Sequence, residues 1–231
     1  MPLTRQIICA VFLSLFLIAA PVQAAPESSA PPTKSFYDRI MDIIKQQPPK
    51  PEPAPAPQLP KGHTPIFGKA EISKEQMVNF IRRTNPMPKI TVGLEELVDL
   101  YWEEAGHEGI RPDLAMAQAL LETGFFRFGG DVLPAQNNFA GIGSTGGGAR
   151  GASFESARQG VRAHIQHLLA YTTVREPLRP IVDPRYHIVR SLPQYFAQCS
   201  TWESLGGKWA IPGHGYGERI VKMLAYVKGD G

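Results

Sequence analysis

Between Gln47 and Pro65 the chain reads QPPKPEPAPAPQLPKGHTP. Proline has no backbone N–H to give and fixes φ, so neither a helix nor a strand can run through this stretch. It reads as a semi-rigid polyproline spacer, which holds whatever follows away from whatever precedes. The 22 prolines in 231 residues exceed the roughly 5% of average usage, and many lie in the first third, so the packed part is shorter than the whole chain. What remains is enough for one domain and too little for a full (β/α)₈ barrel. With 43% hydrophobic residues the chain as a whole is not a disordered one.

Ahead of the spacer, Arg5 precedes an apolar run from Ile7 to Ala20, and Pro21-Val22-Gln23-Ala24 ends in the small-residue pattern of a signal-peptidase site. Residues 1–24 are therefore expected to be a signal peptide and the mature protein to be exported, to the periplasm, the cell wall or the medium. An uncleaved membrane anchor fits less well, because the run is shorter than the roughly 20 residues of a spanning helix. Cleavage removes Cys9 and leaves only Cys199, so no internal disulfide is expected, and Cys199 reads as a small buried hydrophobe. Residues 25–69 are read as a short amphipathic helix and the proline-rich linker. Phe36, Ile40, Ile43 and Ile44 share one helical face, which suits a turn packed on the domain better than an envelope anchor or partner-docking helix.

From residue 70 to 231 the pattern is mostly α, with a small β element. Ser73-Lys74-Glu75-Gln76 fits a capping box, and Asn85-Pro86 stops that helix. A second helix is expected from Leu94 to Ala105 with Gly106 ending it, and a third from Pro112 to Thr123, closed by Gly124. Phe139 to Gly143 and Ala152 to Phe154, joined by a glycine-rich turn, read as a small hairpin. Phe154 to Leu169 supplies a fourth helix, and Ile220 to Val227 a last one. Lys plus Arg exceed Asp plus Glu by 24 − 21 = 3, too little to argue for a nucleic-acid partner.

Glu122 stands out as a candidate for chemistry. Ala115, Gln118 and Ala119 share its helix face, which would let a substrate lie close. The helix C-terminus and the neighbouring Phe125 and Phe126 disfavour a carboxylate, so its pKa is expected to be raised, as a general acid requires. An ordinary exposed helix-end glutamate fits the spacing equally well. Gly141-Ile-Gly143-Ser-Thr-Gly146 matches GxGxxG, but the glycines that follow oppose the helix a dinucleotide site needs. His164 and His167 stand three apart without an HExxH motif and read as a polar helix face in preference to a zinc site. No metal and no cofactor is expected.

Ala117-Gln-Ala-Leu-Leu-Glu-Thr-Gly124, then Asn137-Asn-Phe-Ala-Gly-Ile-Gly143, then Trp209-Ala-Ile-Pro-Gly-His-Gly-Tyr-Gly217 before a last helix, together resemble the glucosaminidase domains of glycoside hydrolase family 73. The resemblance spans about residues 95 to 227. It implies a lysozyme-like fold and cleavage of the β-1,4 bond after N-acetylglucosamine in peptidoglycan glycan strands. It makes Glu122 the acid, places Tyr216 at the family's active-site tyrosine, and puts Asn138 where its asparagine follows the acidic helix.

The chain also departs from that pattern. Some family members carry a second carboxylate in a longer hairpin, whereas Ser144 to Gly151 holds no Asp or Glu. Glu155 and Asp183 are the nearest substitutes, and the base stays unassigned, since a 2-acetamido sugar can attack its own anomeric carbon. Gln136 and Asn138 offer amides to sugar hydroxyls; Phe139, Trp209 and Tyr216 offer flat faces to pyranose rings, with core packing an equal reading of Phe139. The leading function is thus an exported endo-β-N-acetylglucosaminidase. A lytic transglycosylase on the same glycan and a non-catalytic wall-binding or scaffold domain are the alternatives.

Overall fold

The structure, a computed structural model, describes residues 61–229. The expected signal peptide over 1–24, the expected amphipathic helix around Phe36 to Ile44 and most of the proline-rich spacer lie outside the described residues.

Six α-helices make up the described part: α1 (Lys74–Thr84), α2 (Leu94–Glu108), α3 (Pro112–Glu122), α4 (Ala157–Thr172), α5 (Tyr186–Arg190) and α6 (Tyr216–Lys228), with single 3₁₀ turns at Pro134–Gln136 and Glu203–Leu205. This is a mostly-α, lysozyme-like domain. The capping box forms as the sequence dictates. Ser73 accepts from the Gln76 N–H at 3.1 Å, and the Gln76 side chain accepts from the Ser73 N–H at 2.8 Å. Helix α2 runs through Gly106 and stops at Gly109, which takes the left-handed conformation at φ 72°. The stop falls there because Ile110, fully buried, turns inward and bridges to Phe67, which fixes where the chain must reverse.

Helix α3 is the axis of the domain. Every residue from Pro112 to Leu120 is buried, as in a helix surrounded on all sides, with α2 packed on one flank and α6 on the other. Ala115 and Ala119 are therefore covered by protein, which corrects the expectation that a substrate lies over them: small residues here let helices approach closely. Helix α4 packs on α2, and α5, unforeseen in the sequence, packs on α4.

The expected boundary at residue 70 falls inside the packed chain. Thr64 donates its N–H to the Glu203 carboxylate at 2.9 Å and accepts from the Trp202 N–H at 2.9 Å. Ile66 is fully buried, donates to the Ser200 carbonyl and accepts from the Arg111 N–H. Residues 64–68 thus lace two distant loops together. Pro65 marks the end of the proline-rich run, and Ile66, fully buried, follows it directly.

The two segments read as a hairpin meet without a continuous ladder. The Ala152 N–H donates to the Ile142 carbonyl at 2.8 Å, and Gly146 bridges Ala149 at the tip. Gly146, Gly147 and Gly148 all have positive φ, a run that suits a tight turn and excludes a helix start.

Candidate active site

A cleft of about 500 Å³ opens beside the C-terminus of α3. It is lined by the loop Phe128–Val132, by the loop Ala140–Thr145, called the floor below, and by Trp209–Ile211 with His167, Tyr171 and Arg185. Its size suits a short run of sugar rings.

Glu122, the last residue of α3, lies on the cleft. The Tyr216 hydroxyl and the Trp209 indole N–H (3.1 Å) both donate to its Oε1. Oε2 lies beside Gly141 on the floor, where an added Cβ would come within 3.6 Å of it. Enclosure by protein raises the Glu122 carboxyl above its ordinary range, partly offset by the two donors and by the charges of Arg219 and His167. The carboxyl nevertheless opens on the cleft, so water moderates the shift. The sequence expected this direction from the helix end; the larger cause is loss of solvent around the group.

Tyr216 opens α6 and is almost fully buried, with its hydroxyl pKa pushed well up, first by burial and then by Glu122. Trp209 stands at the cleft with its ring against His167, centroids 4.9 Å apart. These three residues, drawn from two of the three quoted motifs, meet at Oε1 of Glu122, but Tyr216 does not line the cleft and presents no ring face to it.

Of four other candidates, Asn138 lines the cleft, whereas Gln136, Phe139 and Glu155 do not. Gln136 gives both amide protons to the carbonyls of Arg150 (2.9 Å) and Ala152 (3.2 Å). Asn138 gives its own to Ile142 and Ala152, both at 3.0 Å, while its oxygen accepts from the N–H groups of Ala140 and Ile142. Both amides thus spend their protons on bracing the glycine-rich floor; Gln136 stands off the cleft and Asn138 lines it. Phe139, 1% exposed, packs edge-on against Tyr101 and Phe126 and belongs to the core. Glu155 is exposed and bonded to Gln159 at the start of α4, away from the cleft.

Asp183 is buried and accepts from Nδ1 of His167 at 2.7 Å and from the Arg185 N–H at 2.8 Å. It orients His167, which itself lines the cleft, and so reaches the site only through that ring. The cleft carboxylate not legible in the sequence is Asp131, whose Oδ1 accepts from the Gly148 N–H at 3.1 Å. Its place just after Gly129-Gly130 is the one local signal for it. His164 and His167 are both buried, so the polar helix face expected for them does not exist. Among the described residues no cluster of His, Cys, Asp and Glu could hold a metal ion.

Residues 98–228 match the Glucosaminidase family, described as mannosyl-glycoprotein endo-beta-N-acetylglucosaminidase. The chain is 37% identical over 160 residues, 69% of its own length and 74% of the relative's, to an uncharacterized protein of Borreliella burgdorferi. No solved structure matches the chain. A family match over more than half the chain, joined to a mostly-α domain that sets a glutamate on a sugar-sized cleft, leads to one conclusion: the chain belongs to the glucosaminidase family, glycoside hydrolase family 73, and is a peptidoglycan-degrading glycoside hydrolase.

Proposed function

We propose that the protein is an exported endo-β-N-acetylglucosaminidase that cuts the β-1,4 bond after N-acetylglucosamine, with Glu122 as the general acid. The observation that carries this reading is the setting of the Glu122 carboxyl: exposed on the cleft at the end of α3 and anchored through Oε1 by the donors Tyr216 and Trp209, with its pKa shifted upward by the surrounding protein. The acid gives its proton to the glycosidic oxygen as the C1–O bond breaks.

The 2-acetamido oxygen of the substrate attacks C1, and water then opens the resulting ring. Glu122, now ionised, takes a proton from that water and is restored. This route suits a site in which neither Glu155 nor Asp183 opens directly on the cleft and the carboxylate that does line it, Asp131, is engaged by the Gly148 N–H. Trp209 offers a flat face to a sugar ring at the cleft wall, and Arg185 offers a cation to the carboxylates of an anionic wall polymer.

Digestion of purified peptidoglycan, read by mass spectrometry, tests this. Each cut by the wild type should add one water and leave N-acetylglucosamine at the new reducing end, and Glu122→Gln should abolish it. An anhydro product would make the enzyme a lytic transglycosylase. Retained glycan binding without cleavage by the wild type would make it a scaffold.

A further inference from the structure

Behind Glu122 a chain of hydrogen bonds runs into the core. Tyr216 accepts from Nε2 of Gln118 at 2.8 Å. Oε1 of Gln118 meets Nε2 of His164 at 3.0 Å, and Nδ1 of His164 meets the Tyr101 hydroxyl at 2.9 Å. Gln118, His164 and Tyr101 are fully buried, and none of them lines the cleft.

The direction of such a chain follows from its inner end. The Tyr101 hydroxyl has a proton to give and, among the described residues, His164 Nδ1 as its acceptor. A buried hydroxyl proton left unpaired is costly, so Nδ1 carries no hydrogen and the imidazole proton sits on Nε2. Nε2–H then donates to Gln118 Oε1, which turns the Gln118 NH₂ toward Tyr216. The Tyr216 oxygen is thereby occupied, and its single proton points at Glu122 Oε1. The reverse direction would seat the Glu122 proton on Oε1, aimed at Tyr216 and away from the cleft.

We propose that Tyr101, His164 and Gln118 form a one-way relay that, through Tyr216, reserves Oε1 of Glu122 as an acceptor and so places the transferable proton on Oε2 at the cleft floor. They are positioning residues, and the proposal rests on the reading of Glu122 as the acid. His164 is held neutral, its pKa pushed down to about 3 by burial and then by neighbouring His167, so the relay keeps its direction through the working pH range. The titratable and charged groups facing Glu122 are Tyr216 and Arg219 from α6 and His167 from α4; those facing His164 are Tyr101 from α2 and His167.

The wild-type protein alone supplies the first test. The ¹⁵N shifts of the His164 ring at neutral pH should show a bare Nδ1 and a protonated Nε2. A protonated Nδ1 overturns the relay. Gln118→Glu offers Tyr216 a second acceptor and turns its proton away from Glu122; kcat should fall about tenfold or more with KM within about twofold. Gln118→Met removes the donor without adding charge, and the Glu122 carboxyl, followed by ¹³C NMR, should titrate at higher pH than in the wild type. Wild-type kcat in the first variant with an unmoved titration in the second overturns the proposal. Failure of the acid reading shows differently, as Glu122→Gln cleaving at the wild-type rate while the His164 tautomer is as expected.

Discussion

The indole N–H of Trp209 donates to the carboxylate of Glu122 at 3.1 Å, joining the end of α3 to the loop Trp209–Ile211 that lines the same cleft. This donor stabilises the ionised form. Trp209→Phe keeps a ring against His167 and removes the donor, so the alkaline limb of the pH–rate profile should move to higher pH. A limb that stays in place would show that the bond does not tune the acid.

The sign of the Glu122 shift also predicts a stability effect. A carboxyl whose folded pKa is raised favours the fold while protonated and loses that contribution as pH rises through the folded value. Glu122→Gln should therefore melt above the wild type at neutral pH, and the difference should shrink toward pH values at which the unfolded chain's carboxyl is also protonated. The gain should be modest, because the carboxyl opens on the cleft. In the same variant glycan cleavage should fall on the order of 10² to 10⁴.

Participation by the acetamido group retains the anomeric configuration. Proton NMR in the first minutes of digestion should show the β anomer, and Asp131→Asn should keep most of the activity. An inverted product, together with loss of activity in Asp131→Asn, would make Asp131 the base.

Asp113 anchors the start of α3. Its carboxylate accepts from Arg111 at 2.8 Å and from the Glu71 N–H at 2.7 Å, and both side chains of the ion pair are nearly inaccessible. Asp113→Ala leaves a buried guanidinium short of a partner and should cost about 3 kcal/mol in urea unfolding. Turnover per folded molecule should be unchanged.

A protein beginning at Ile72 lacks Thr64 to Gly68 and with them the buried Ile66. Relative to one beginning at Lys61 it should lose at least about 2 kcal/mol, the cost of emptying an isoleucine site. Equal denaturant midpoints would mean that the segment contributes nothing to the fold.

What was legible in the sequence is what is decided locally. The Ser73 capping box, Pro112 in the first turn of α3 and the glycine-rich turn needed only their neighbours. The end of α2 did not follow, because Gly106 and Gly109 both qualify and the choice depends on Ile110 meeting Phe67, far away in the chain. Glu122, Tyr216 and Trp209 carry distinctive chemistry in distinctive motifs, and they meet. The bracing by Gln136 and Asn138 was not legible, because an amide bridges backbone as readily as it binds a sugar, and a floor rich in glycine has carbonyls to bridge. Gly160 shows the same limit: an added Cβ would lie 1.8 Å from the Asn137 carbonyl oxygen, a close approach that no local pattern announces.

Tyr216 is made 94 residues after Glu122, at the head of the helix that completes the wall of α3. Without that helix the glutamate keeps the Trp209 indole donor but lacks the hydroxyl one. On the reading of Glu122 as the acid, its surroundings are therefore a product of tertiary packing, assembled from two stretches of chain that no local pattern joins.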